Sequence, residues 1–129
     1  MANRGEIACR ILRACKEAGH PTVAVCAPND AGSLFTEMAD TVVMLEGETI
    51  AETYLDQNQI IQAALATGAT AIHPGFGFLS ERAEFATAVE AAGLTWIGPS
   101  ALAIEKMGDK MTARQTMRAA GVPVIPGEE

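Results

Sequence analysis

Residues 71–82 read A-I-H-P-G-F-G-F-L-S-E-R. A short apolar run stops at His73-Pro74 and then turns through two glycines, the pattern of a strand that empties into a stiff exposed loop. Pro74 has no N–H to give to a sheet ladder, and Gly75 and Gly77 can take backbone angles closed to other residues. Ser80 is placed to offer its oxygen to the first free N–H groups of a helix that opens with Glu81 and Glu84 and is expected over 81–92. A loop of this kind at the carboxyl end of a strand is where an open α/β sheet keeps its ligand site. A tight turn without a ligand is the plainer reading of the same residues.

On both sides of that loop, short β-rich runs alternate with longer stretches of helical period. Residues 5–18 carry Ile7, Ile11, Leu12 and Cys15 on one face, with Arg10, Arg13, Lys16 and Glu17 elsewhere. Gly19-His20-Pro21 ends that helix, and a buried strand follows over 22–26. Residues 28–33 read as a polar loop, and 41–45 as a second strand. Asp56 can cap the next helix, in which Ile60, Ile61, Ala64 and Leu65 share a face before Gly68 stops it. Residues 70–73 form a third strand. Phe85, Val89 and Ala92 point inward from the helix beyond the loop, Gly93 caps it, and a fourth strand runs over 94–97. Two last helices are expected over about 100–107 and 109–120. Strands separated by helices of this length pair in parallel through right-handed crossovers, which predicts a Rossmann-like open α/β sheet with helices on both faces. Only Met1-Ala2-Asn3 stands ahead of the first helix, so either the usual first strand has been cut off or the sheet starts differently.

Composition narrows the partners. The chain has 129 residues, enough for one domain, and 49% of them are apolar, as a globular interior requires. Its net charge is −7, and the nine Lys and Arg are scattered, which argues against a nucleic-acid partner. No apolar run approaches the ~20 residues of a membrane span, and the first residues lack the apolar core of a secretion signal. Cys9, Cys15 and Cys26 are odd in number and without metal-type spacing. They read as small buried apolar groups in a reducing cytoplasm.

Few groups are arranged for chemistry. Asn3-Arg4-Gly5-Glu6 occupies the place of a dinucleotide-binding turn but has one glycine where that fingerprint needs three. Asp30 could imitate the ribose-binding carboxylate, against the alternative of a solvated loop. Asp109 can cap the last helix and puts Lys110 in its first turn, where the helix dipole disfavours a cation unless an anion such as a phosphate arrives; a surface lysine is the alternative. Arg13 and Glu17, four apart, read as a solvated i, i+4 pair or a subunit contact. His73 reads as a hydrogen-bonded strand-end histidine, and no catalytic triad or metal-ligand set is present.

Five stretches then become recognisable together: A-N-R-G-E-I-A-C-R-I-L-R-A-C-K-E (2–17), A-I-H-P-G-F-G-F-L-S-E (71–81), I-G-P-S (97–100), M-G-D-K (107–110) and G-V-P-V-I-P-G (121–127). In this order and spacing they resemble the N-terminal, pre-ATP-grasp domain of biotin carboxylase, the component of acyl-CoA and pyruvate carboxylases. The resemblance implies one domain over 1–129, with residues from about 100 onward leading toward an ATP-grasp domain. It implies an enzyme that uses Mg2+-ATP to activate bicarbonate and then carboxylates biotin held on a carrier protein. By position, Lys110 matches a lysine that helps bind the ATP phosphates. His73, Gly75, Phe76, Gly77 and Glu81 match the loop on the biotin side, and Arg13 and Glu17 match a homodimer interface. No catalytic residue and no metal ligand is carried over.

Implied partners are the ATP-grasp domain, the biotin carboxyl carrier and a carboxyltransferase component. The implied location is the cytoplasm, or the mitochondrion where a transit segment has been removed. Two departures stand out: Phe76 where the family commonly has tyrosine, and Arg82 where asparagine is frequent. The family's remaining nucleotide-binding and catalytic residues lie beyond residue 129, so the expectation is a fragment of a longer enzyme, inactive by itself. A stand-alone, non-catalytic Rossmann-like module that binds a nucleotide or a partner is the alternative.

Overall fold

The computed structural model describes residues 1–126; Gly127 of the last motif, with Glu128 and Glu129, lies outside them. In chain order the elements are α1 (Gly5–Glu17), β1 (Val23–Cys26), α2 (Leu34–Met38), β2 (Thr41–Met44), α3 (Gln57–Thr67), β3 (Ala71–Ile72), α4 (Ala83–Ala91), β4 (Thr95–Trp96), α5 (Ala101–Gly108) and α6 (Lys110–Ala119). Single 3₁₀ turns occupy Pro28–Asp30 and Phe78–Glu81.

The strands pair in parallel as two ladders, β1 with β2 in the register Val23 to Thr41, and β3 with β4 in the register Ala71 to Thr95. Met1 and Ala2 join them. The Met1 nitrogen donates to the Val23 carbonyl at 2.6 Å and its carbonyl accepts from Val25 at 3.4 Å, while the Ala2 N–H donates to the His73 carbonyl at 2.9 Å. Counting this segment first, the order across the sheet is 3-2-1-4-5, the doubly wound arrangement. Side chains alternate accordingly. Ala24 and Cys26 pack with Ala8, Leu12 and Phe35 under α1 and α2. Val25 and Ala2 face the larger core with Ile60, Ala64, Ile72, Phe85, Val89 and Trp96. Helices therefore cover both faces, as the sequence pattern predicts.

Several local expectations are corrected. Leu65 is 47% exposed, and Ala63 takes its place in the core. At about 100° per residue, Ile60, Ile61, Ala63 and Ala64 fill one arc of the helix and Leu65 falls past its edge. On α1 only Ala8 and Leu12 are fully buried, while Ile7, Ile11 and Cys15 lie at the margin of its buried face. Ser80 caps nothing: the chain spends Phe78–Glu81 on a 3₁₀ turn, and α4 starts two residues later with Arg82 at an N-cap that makes no side-chain bond. The helix α2 falls where a loop gives way to a strand, because five residues are too few to display a period; it exists to bury Phe35.

The expected Asp56 cap forms, and Ser100 supplies a further one. The Asp56 carboxylate accepts from the N–H groups of Asn58 and Gln59, and Ser100 from Ala103. Beyond β4 the core thins. Ile104 is the one buried residue of α5, and α6 buries none among the described residues. Leu102, Met107, Met111, Val122 and Ile125 stay exposed around this hairpin.

Candidate functional site

In a 3-2-1-4-5 sheet, the crevice opens at the carboxyl ends of the strands where the order reverses, here between the Met1-Ala2 segment and β3. Asn3-Arg4 leaves the first and His73-Pro74-Gly75 the second, so the two motifs singled out in the sequence meet. The Asn3 side chain, 3% exposed, donates from Nδ2 to the carbonyls of Pro74 and Phe76, both at 2.8 Å. Its Oδ1 accepts from the Arg4 N–H at 2.8 Å. Gly75 has φ +69°, and a Cβ there would lie 2.8 Å from Asn3 Nδ2, so this position excludes side chains on both counts.

The rest of the loop is held as tightly. Nδ1 of His73 accepts from the Gly75 N–H at 3.0 Å, which fixes that nitrogen as an acceptor. Burial pushes the His73 imidazole below its ordinary 6.5, which favours the neutral ring. Phe78 is the one residue other than glycine with positive φ, +46°, among those described. Strain at that position is offset by stacking: the Phe78 and Tyr54 rings lie 5.3 Å apart and 8° from parallel. Between these anchors Phe76 is 63% exposed, and Glu81 reaches solvent at the end of the 3₁₀ turn.

Arg4 stands beside this loop. Its Nη1 lies 3.3 Å from Asp30 Oδ2, and its guanidinium carbon lies 5.7 Å and 5.8 Å from the Tyr54 and Phe78 ring centroids. The Tyr54 hydroxyl donates to the same Asp30 oxygen at 2.7 Å and accepts from the Ala27 N–H at 3.1 Å. Burial drives the Tyr54 phenol well above its ordinary value, reinforced by the Asp30 carboxylate. Asp30 is thus no solvated loop residue. The carboxylate that would hold a ribose in a dinucleotide fold is already engaged by an arginine and a tyrosine of its own chain. The sequence reading missed Tyr54 and Phe78; the only available signal was a lone tyrosine inside the polar stretch 46–56.

The remaining candidates lie apart from this cluster. Lys110 is the exposed first residue of α6, beside an Asp109 carboxylate that accepts from the Thr112 hydroxyl and N–H, both at 2.7 Å. Those two bonds lower the Asp109 pKa. Arg13 and Glu17 are exposed on α1, and no ion pair joins them among the described residues, so the i, i+4 pair is not formed. Among the described residues, no group of three or more His, Cys, Asp or Glu could hold a metal ion, and no helix is long and apolar enough to cross a membrane.

Residues 1–104 match the family described as biotin carboxylase, N-terminal domain. The chain is 53% identical over 127 residues to the mitochondrial methylcrotonoyl-CoA carboxylase subunit alpha of Oryza sativa subsp. japonica, covering 98% of this chain and 17% of that protein. It is 50% identical over its full length to the biotin carboxylase of Pseudomonas aeruginosa, of which it spans 29%. Among solved structures it resembles the biotin carboxylase domain dimer of the Hydrogenobacter thermophilus 2-oxoglutarate carboxylase in complex with MgADP, ADP and bicarbonate. The TM-score there is 0.92 at 47% identity, over 98% of this chain and 28% of that one. The biotin carboxylase subunit of a pyruvate carboxylase gives a TM-score of 0.91 at 51% identity, over 99% and 28%.

Proposed function

The chain belongs to the biotin carboxylase N-terminal domain family, and on that premise we propose that it is the N-terminal part of an ATP-dependent biotin carboxylase. In this reading the whole polypeptide carboxylates carrier-bound biotin with bicarbonate, within an acyl-CoA or pyruvate carboxylase. The observation that carries the assignment of the site is the rigid 73–81 loop at the switch point, which turns the Phe76 ring to solvent on a backbone tied down at every residue from 73 to 76.

The proposed roles are those the family resemblance implies. His73, Gly75, Phe76, Gly77 and Glu81 form the biotin-side wall, where Phe76 supplies an aromatic face without a hydroxyl. Lys110 reaches the ATP phosphates from the start of α6. Arg13 and Glu17 serve a homodimer contact, which their exposure and lack of mutual pairing leave available. The apolar residues left open on α5 and α6 pack against the ATP-grasp domain. Mg2+ does not fit a ligand set among the described residues, so its binding is assigned to that ATP-grasp domain and no step is routed through it here. The carrier and the carboxyltransferase are the remaining partners, and the location is cytoplasmic.

The test is ADP release dependent on biotin and bicarbonate, measured on the intact native polypeptide that contains this sequence. Lys110→Gln is expected to raise KM for ATP about tenfold and leave the melting temperature unchanged, the loss of one charged phosphate contact. Absence of any biotin-dependent turnover in the unmodified polypeptide refutes the assignment.

A further inference from the structure

Two observations at the crevice do not follow from the loop's own sequence. The first is that a residue some seventy positions away supplies the loop's hydrogen bonds. Asn3 Nδ2 spans Gly75 and takes the carbonyls on either side of it, while Ala2 takes the carbonyl of His73. The second is that the group so held is an exposed aromatic. Phe76 presents 63% of its surface to water although its own carbonyl is bonded to Asn3. A tight turn needing only closure would have no use for an apolar ring at its tip. A ring fixed in advance spares a ligand the ordering of loop and side chain, which is how preorganised sites gain affinity.

We infer that Asn3 is the positioning residue for Phe76: through the Pro74 and Phe76 carbonyls it fixes where the ring stands against bound biotin. The Oδ1 contact to the Arg4 N–H sets the amide's orientation, so that both Nδ2 hydrogens aim at the loop. Gly75 lets the amide approach, since any Cβ would occupy the same space. Phe78, stacked on Tyr54, pins the far end. Asn3 touches no substrate and acts only through Phe76. The inference rests on the proposal that the 73–81 loop faces biotin.

The experiment uses the intact polypeptide and compares Asn3→Ala, Asn3→Asp, Phe76→Ala and the Asn3→Ala/Phe76→Ala double variant. Asn3→Asp keeps the acceptor for Arg4 and the side-chain volume but has no amide donor for the carbonyls, and it carries the test if the alanine variant does not fold. Two readouts are taken: KM for free biotin against KM for ATP, and amide hydrogen exchange at residues 75–78 against α3. Each single variant is expected to raise KM for biotin about tenfold with KM for ATP unchanged. The double variant is expected to be no worse than Phe76→Ala, because the two residues act as one unit. Exchange at 75–78 is expected to accelerate at least about tenfold in the Asn3 variants while α3 keeps its protection.

Where Phe76→Ala raises KM for biotin, a folded Asn3 variant with unchanged biotin KM, additive effects in the double variant, or unaltered loop exchange overturns the inference. If Phe76→Ala itself leaves KM for biotin unchanged, the biotin-side assignment fails instead. The positioning role is then decided by loop exchange alone, where acceleration supports it and its absence overturns it.

Discussion

Replacing Tyr54 with phenylalanine removes one hydroxyl and keeps the ring that stacks on Phe78, so it isolates the polar half of the cluster beside the loop. Tyr54 is fully buried, and its hydroxyl makes two bonds, to Asp30 at 2.7 Å and from the Ala27 N–H at 3.1 Å. A hydrogen bond to a charged carboxylate contributes about 1.5–3 kcal/mol, and the orphaned Ala27 donor costs about 1–3 kcal/mol more. Asp30 keeps Arg4, so the lower half of both ranges applies and the expected loss is about 3 kcal/mol. That is a large part of the ~5–15 kcal/mol available to a domain, and it lowers the melting temperature by roughly 10 °C.

The same hydroxyl predicts a pH dependence. Burial holds the phenol well above 10 in the folded chain, while in the unfolded chain it ionises near its ordinary value of 10. Above that pH the unfolded state binds fewer protons than the native state. Stability therefore falls as pH rises, by up to about 1.4 kcal/mol per unit. Tyr54 is the only tyrosine in the sequence, so the near-ultraviolet absorbance of tyrosinate reports it alone. The tyrosinate signal is expected to appear only together with loss of far-ultraviolet circular dichroism, and the stability gap between Tyr54→Phe and the parent to shrink above pH 10. A tyrosinate titrating near 10 with the fold intact would show that the Tyr54 hydroxyl is not buried and bonded in this way. So would a Tyr54→Phe variant within about 0.5 kcal/mol of the parent.

Two further outcomes are expected. Because the folded His73 pKa lies below 6.5, its contribution to stability is present above that pH and is lost as pH falls through the folded value. His73→Asn keeps an acceptor for the Gly75 N–H and should flatten the acid limb of a stability profile below pH 6.5; an unchanged limb would exclude His73 as its source. At Gly98, a Cβ would lie 2.9 Å from Trp96 Nε1, whose N–H donates to the Pro99 carbonyl at 2.8 Å. Gly98→Ala should cost about 1–3 kcal/mol by displacing the indole and should shift the emission of the single tryptophan. Parent-like emission and melting would show that the ring has room to spare.

The sequence was most legible where a short local rule suffices. Asp56 and Asp109 each stand directly ahead of a helix and cap it, because capping depends on a residue and the N–H groups two or three positions on. The alternation of strand and helix, and with it the parallel sheet, followed from period alone. The misses have a common cause. Ser80 satisfied the same local rule and failed, since the Phe78–Glu81 turn reset the start of α4. Leu65 lost its buried place to Ala63 by the rotation of one helix against its neighbours. Arg4, Asp30 and Tyr54 were three unrelated polar residues until the fold brought them into one bonded group.

Period and motif were enough for the α/β class and, through five collinear motifs, for the family. The tertiary structure decided what the 73–81 loop is attached to. Hydrogen bonds from Ala2 and Asn3 to His73, Pro74 and Phe76 link segments separated by more than seventy residues, and no local propensity encodes such a distance. The physical reason lies in the sheet. Parallel strands that are neighbours in space are remote in sequence, so the groups meeting at their carboxyl ends are chosen by strand order and not by spacing along the chain.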